Sequence, residues 1–141
     1  MNRGRYFSAM NLKKGSFMIA GLGIDVVDID RFENCVERWG DHFLAKVFTP
    51  KEISYCRAKA NAIPSLAVRF AAKEALIKCL KDSESGLFRW QAVEVINTET
   101  GKPIIRLSDP LKTVLLDRKI TLSLTHSRRS AVAVVIMQAG D

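Results

Sequence analysis

Apolar residues fill positions 19–27 almost without a break, and their β-branched content predicts a strand. Gly21 and Gly23 interrupt it, as where another backbone or a ligand comes close. The period then lengthens. Phe32, Cys35, Val36 and Trp39 recur at helical spacing and predict a helix over 31–39, capped by Asp28 or Asp30 and ended by Gly40. Residues 41–48 read as a short helical turn. Thr49-Pro50-Lys51-Glu52 predicts a sharp helix start, with Thr49 as cap, Pro50 at the first position and Glu52 completing a capping box. A break over 61–65 leads into a longer helix over about 64–80, followed by a polar loop at 81–86. Residues 92–97 and 103–107 predict two strands of a hairpin turning at Gly101. Ser108-Asp109-Pro110 opens a short helix to about 118, and the apolar runs 120–125 and 131–137 form a second hairpin around His126-Ser127-Arg128-Arg129. Strands at the start and in the second half, with helices grouped between, predict an α+β fold: an antiparallel sheet packed against a long buried helix.

That helix holds the most informative residues. From 66 to 80 it is apolar except at Arg69, Lys73, Glu74 and Lys78, so most of its surface is buried. A carboxylate in such a helix needs a cation or a metal. Lys78, one turn beyond Glu74, offers a plain surface ion pair; a metal ion is the other reading. Asp25 raises the same choice between a turn-forming residue at a strand end and a ligand. Together the two acids could hold Mg²⁺, which takes one or two carboxylates and fills its shell with water and phosphate oxygens. His126 stands where a strand meets a turn, a position from which an imidazole reaches either a structural partner or a ligand. The other histidine is His42, and no Ser-His-Asp or Cys-His pattern supports nucleophilic hydrolysis.

Composition bounds these readings. A length of 141 residues suits one domain, and 48% apolar with 26% charged residues is the composition of a folded chain. Lys and Arg number 22 against 15 Asp and Glu, a net charge of +7 that favours an anionic partner. Nucleic acid, a phosphate-rich small molecule and an acidic protein all satisfy it, although aromatic residues do not alternate with the basic ones as on a base-stacking surface. Cys35, Cys56 and Cys79 lack CxxC spacing and read as reduced apolar fillers of predicted helices. Residues 1–17 read as a flexible, basic leader without an apolar run of signal-peptide length, and Met18, directly before the first strand, is a candidate start. No stretch approaches the roughly 20 apolar residues of a membrane span. The expected place is the cytoplasm.

Three segments, taken in order, resemble the holo-acyl-carrier-protein synthase family of phosphopantetheinyl transferases. Gly21-Leu22-Gly23-Ile24-Asp25-Val26-Val27-Asp28-Ile29-Asp30-Arg31-Phe32 is similar to the family's G-x-D strand and the helix that follows it. Arg69-Phe70-Ala71-Ala72-Lys73-Glu74-Ala75-Leu76-Ile77-Lys78 resembles its most specific signature. Leu122-Ser123-Leu124-Thr125-His126 with Ala131-Val132-Ala133 resembles its C-terminal S-x-(S/T)-H strand and return, and Gly101-Lys102-Pro103 its G-K-P turn. The likeness spans residues 18–137, so 18–141 is expected to form the transferase domain.

The resemblance implies transfer of 4'-phosphopantetheine from coenzyme A to a serine of apo-acyl carrier protein, with release of adenosine 3',5'-bisphosphate, in fatty acid biosynthesis. Asp25 and Glu74 would be the Mg²⁺ ligands. Glu74, directly or through water, would also be the base, and Lys78 would assist the leaving group. Arg69, Lys73, Lys78 and His126 would contact the phosphates or nucleotide of coenzyme A, with Gly101, Lys102 and Pro103 close to the adenine. Arg31 would dock an acidic carrier protein, and the assembly would be a homotrimer with shared active sites. Nucleic acid and membrane have no part in this expectation. One departure is local. Where the family carries a glycine-rich loop, 81–86 keeps only Gly86, and Ser83 or Ser85 would have to replace backbone amides at the phosphates.

Overall fold

The computed structural model describes residues 18–140; the predicted leader, 1–17, lies outside them. In chain order the elements are β1 (Met18–Asp28), α1 (Ile29–Val47), α2 (Pro50–Arg57), α3 (Ala62–Cys79), α4 (Asp82–Ser85), β2 (Val93–Asn97), β3 (Pro103–Leu107), α5 (Leu111–Val114), β4 (Arg118–His126) and β5 (Ser130–Ala139). The architecture is α+β, as expected, with the strands divided between two antiparallel sheets. One has the order β1-β5-β4 and the other is the β2–β3 hairpin.

Local chemistry explains most boundaries. Asp28 caps α1 by accepting from Arg31 N at 2.9 Å. Gly40 does not end that helix: its backbone kinks at φ 56°, open to glycine at little cost, and the helix resumes as far as Val47. The capping box of α2 is complete, with Glu52 N donating to Thr49 Oγ1 at 3.2 Å and Thr49 N donating to Glu52 Oε1 at 2.9 Å. Residues 81–86, expected as loop, instead fold into the short turn α4, because the Glu84 carboxylate reaches back to Lys81 N at 2.9 Å and pairs with Arg118. The helix predicted over 110–118 shrinks to α5, and β4 begins at Arg118.

The backbone of α3 lies directly on β1. A Cβ built on Gly23 would stand 1.8 Å from the Ala75 carbonyl oxygen, and one on Gly21 would stand 2.5 Å from that of Cys79. The close approach read from the glycines is therefore made by a helix of the same chain. Ala71, Ala72 and Ala75 keep α3 thin where it meets the sheet, and all three are fully buried. Beneath them Val93, Val95, Leu111, Leu122, Val135 and Met137 form one core, while Phe32, Leu44, Phe48, Cys56 and Leu66 form a second between α1, α2 and α3. Each fully buried Leu or Phe contributes about 1.5–3 kcal/mol. Cys79 belongs to this packing. Burial pushes its thiol up to about 11, and its Sγ donates to the Val135 carbonyl.

Because the obstacle at Gly23 is backbone, Gly23→Ala must push the helix off the strand. Overpacking of that kind costs about 3 kcal/mol, and urea unfolding of the variant should show a loss of that order.

The other face of the β1-β5-β4 sheet is uncovered. Leu22, Ile24 and Val26 are 63%, 57% and 61% exposed. They pair across the ladder with Ile136, Val134 and Val132, which makes the face a continuous apolar strip.

Candidate active site

Glu74 and Lys78 lie one turn apart on the side of α3 that meets β1, and Asp25 lies on β1 two residues beyond Gly23. The close contact of Gly23 with Ala75 thus sets the spacing of the neighbouring side chains Asp25 and Glu74. Both acids line a cleft of about 420 Å³ whose walls include Asp28, Arg31, Phe32 and Phe70. Lys78 Nζ stands 3.2 Å from Asp25 Oδ1 and donates to the Ile24 carbonyl at 2.8 Å. Burial raises the Glu74 carboxyl above its ordinary value, and the charge of Asp25 raises it further against the opposing pull of Lys78.

Two carboxylates that repel each other across one cleft form a hard-oxygen donor set suited to a small divalent cation. Among the described residues no group of three His, Cys, Asp or Glu gathers into a metal site, so an ion here would rely on water and substrate oxygens for the rest of its shell. The larger groove, about 710 Å³ between α1 and α2 and lined by residues such as Phe48, Ile53 and Arg57, contains none of the predicted site residues.

The opposite side of α3 corrects one expectation. Lys73, expected at the coenzyme A phosphates, is 0% exposed. Its Nζ donates to Glu52 Oε1 and the Val47 carbonyl, each at 2.7 Å, and to the Trp90 carbonyl at 3.1 Å. The helical repeat supplies the reason. Lys73 and Glu74 are about 100° apart around the helix, so adjacent residues of one motif point one into the core and one toward the cleft. Lys73 is a structural cation holding α3 to α2.

Arg69, four residues before Lys73, also turns inward and is 3% exposed. Nη2 donates to Asn97 Oδ1 at 2.6 Å, Nη1 donates to the Ser65 carbonyl at 3.2 Å, and the guanidinium lies 4.6 Å from the centre of the Tyr55 ring. The Gly101-Lys102-Pro103 turn closes the β2–β3 hairpin, with Gly101 at φ 85°. It does not line the acidic cleft. His126 is exposed at the end of β4, where it pairs with Ala131, itself opposite the cleft residue Val27. With strands about 4.8 Å apart, His126 and Val27 are separated by two strand spacings. One chain therefore gathers Asp25, Glu74, Lys78 and Arg31, and leaves the turn and His126 elsewhere. In α4, the Ser85 hydroxyl donates to the Asp82 carbonyl.

Asp28, Phe32 and Phe70 in the cleft, and Asn97 beneath the hairpin turn, were not singled out as site residues from the sequence. Asp28 was legible as a cap; nothing in the local pattern distinguishes Asn97 from any polar strand-end residue.

Residues 21–135 match the family model described as the 4'-phosphopantetheinyl transferase superfamily. Holo-[acyl-carrier-protein] synthase of Halothermothrix orenii is 40% identical over 126 residues, covering 87% of this chain and 100% of the relative. The holo-(acyl-carrier-protein) synthase of Bacillus anthracis, solved in complex with CoA (3',5'-ADP), superposes with a TM-score of 0.70 at 27% identity, covering 88% of this chain and 99% of that one. The Helicobacter pylori holo-[acyl-carrier-protein] synthase, in complex with coenzyme A, gives 0.67 at 28% identity, covering 82% and 98%.

Proposed function

Since the chain belongs to the 4'-phosphopantetheinyl transferase superfamily, among its holo-[acyl-carrier-protein] synthases, we propose that Asp25, Glu74 and Lys78 are the centre at which it works. The protein is a transferase: it moves 4'-phosphopantetheine from coenzyme A to a serine of apo-acyl carrier protein, giving holo-carrier protein and adenosine 3',5'-bisphosphate. The observation that carries the site assignment is the meeting of Asp25 and Glu74, from β1 and α3, in one cleft with Lys78 beside them.

The serine oxygen forms a bond to the β-phosphorus of coenzyme A as the bond to the bridging oxygen breaks. Glu74 takes the serine proton, directly or through water. Lys78 offsets charge on the departing phosphate. Asp25 and Glu74 are the residues that would hold Mg²⁺, which when bound neutralises and aligns the diphosphate. Arg31, exposed at the cleft wall, receives the acidic carrier protein. Pro103, Lys102 and Gly101 receive the nucleotide end of coenzyme A.

The apolar strip of Leu22, Ile24 and Val26 supports a homotrimer, because covering it removes a large exposed hydrophobic surface from water. A neighbouring copy would also bring its own His126 toward the cleft, whose lining within one chain does not include that residue. Replacing Ile24 by Lys should convert the assembly to monomers in sedimentation equilibrium and lower transfer about a hundredfold at unchanged monomer fold; a monomeric parent chain would contradict this reading. The chain acts in the cytoplasm, in fatty acid biosynthesis, as one transferase domain over 18–141. Among the described residues no helix is long and apolar enough to cross a membrane.

Product release tests the activity. Incubated with coenzyme A and Mg²⁺, the protein should release adenosine 3',5'-bisphosphate only when apo-carrier protein is added. Release without it would mark a phosphoester hydrolase instead.

A further inference from the structure

Arg69 and the Gly101-Lys102-Pro103 turn lie far apart in the chain, and one side chain joins them. Asn97 Oδ1 accepts from Arg69 Nη2 at 2.6 Å while its Nδ2 donates to the Gly101 carbonyl at 3.0 Å. The turn is closed on itself by Thr98 N to the Lys102 carbonyl and Gly101 N to the Thr98 carbonyl, both at 2.8 Å, and by Lys102 N to Thr98 Oγ1 at 3.2 Å. Among the described residues the Asn97 carboxamide is its side-chain hydrogen-bond link to α3. Arg69 is a rigid anchor for that link. The ring of Tyr55 covers it, the Ser65 carbonyl holds Nη1, and Nε is buried without a partner. The two Nη bonds and the Tyr55 ring hold the guanidinium in this pose against the cost of the unpaired Nε.

We infer that Asn97 is a positioning residue: it fixes the Gly101-Lys102-Pro103 turn against α3, so that Arg69 acts on coenzyme A binding through the turn rather than by touching the ligand. The inference rests on the reading that this turn receives the nucleotide end of coenzyme A. A planar carboxamide is suited to the place because it offers an acceptor on one side and a donor on the other. An aspartate would keep the acceptor toward Arg69 and set a charged oxygen against the Gly101 carbonyl.

The test compares Asn97→Ala and Asn97→Asp with the parent chain in two measurements. In steady-state transfer, both variants should raise KM for coenzyme A about tenfold, the upper end for losing the one neutral hydrogen bond to the Gly101 carbonyl that both lack, with kcat and KM for apo-carrier protein changed less than about twofold. Hydrogen exchange of the free protein, without coenzyme A, should quicken at the Gly101 and Lys102 amides while Ala72 and Leu76 stay protected. Asn97→Asp separates the two halves of the link: a KM for coenzyme A like that of the parent would mean that the donor to Gly101 does nothing, and would overturn the inference. So would a loss of stability and active fraction with both KM values unmoved, the mark of a merely structural residue. A parent chain without transfer activity would defeat the underlying reading and with it the role toward coenzyme A, and the ligand-free exchange data would then still report whether the link to the turn exists.

Discussion

Glu74→Gln should leave a chain that folds at least as stably as its parent yet transfers phosphopantetheine at least about a thousandfold more slowly. The rate loss corresponds to about 4 kcal/mol of transition-state charge stabilisation, within the range for removing one aligned electrostatic group. Stability moves the other way because the fold raises the Glu74 carboxyl through burial and the nearby Asp25 charge. A carboxyl raised above its unfolded value of 4.5 contributes stability that is fully present below that value and is lost as pH rises through the folded one. At neutral pH the ionised Glu74 is therefore a net cost to the metal-free chain, and Gln removes it. Thermal melts with chelator should show the parent losing stability as pH climbs from 4.5 and the variant not. Added Mg²⁺ should raise the melting temperature of the parent alone, since a ligand of the folded state stabilises by mass action. Asp25→Asn should match the rate loss.

Lys73→Met should cost about 3–5 kcal/mol, the range for breaking a buried pair from one side. Glu52 is what makes the loss large. Its Oε1 accepts from Lys73 Nζ and Thr49 N, and its Oε2 accepts from Val95 N at 3.1 Å, so the carboxylate ties the start of α2 to α3 and β2. Both side chains are 0% exposed, and without Lys73 the carboxylate would remain in the core with two backbone amides for company. Burial pulls the Lys73 ammonium below its ordinary value and Glu52 opposes that pull, which shows how strongly the charge depends on its partner. Urea unfolding measures the loss, and the double variant Lys73→Met/Glu52→Gln should lose clearly less than the two singles combined. The fraction that stays folded should bind coenzyme A with an unchanged KM. A Lys73 that touched the phosphates would raise that KM and spare stability.

Most of the elements, and the start of α2, could be read along the chain because local signals set them. Thr49-Pro50-Lys51-Glu52 needs only its own residues to form a capping box, and Gly101 only its own turn. The division into two sheets depends on which strands meet, and no local pattern carries that. The same limit separates the site residues. Asp25 and Glu74 were legible because an acid in an apolar run demands a partner, and they do share a cleft. Lys73 obeyed the same rule, but its partner was Glu52, whose capping role hid a second one. Arg69 shares Lys73's side of α3 and likewise turns inward: a signature fixes the residues, and the helical repeat decides which of them face the cleft. Residues 81–86 read locally as loop because the pairing of Glu84 with Arg118 that folds them spans 34 positions.

Intact-mass analysis of apo-acyl carrier protein incubated with coenzyme A, Mg²⁺ and this protein decides whether the paired carboxylates of Asp25 and Glu74 carry the transfer. The carrier protein should gain the mass of one phosphopantetheine with the parent chain and none, over the same interval, with Asp25→Asn or Glu74→Gln. A full gain with either variant would show that the paired carboxylates are not the centre of the reaction.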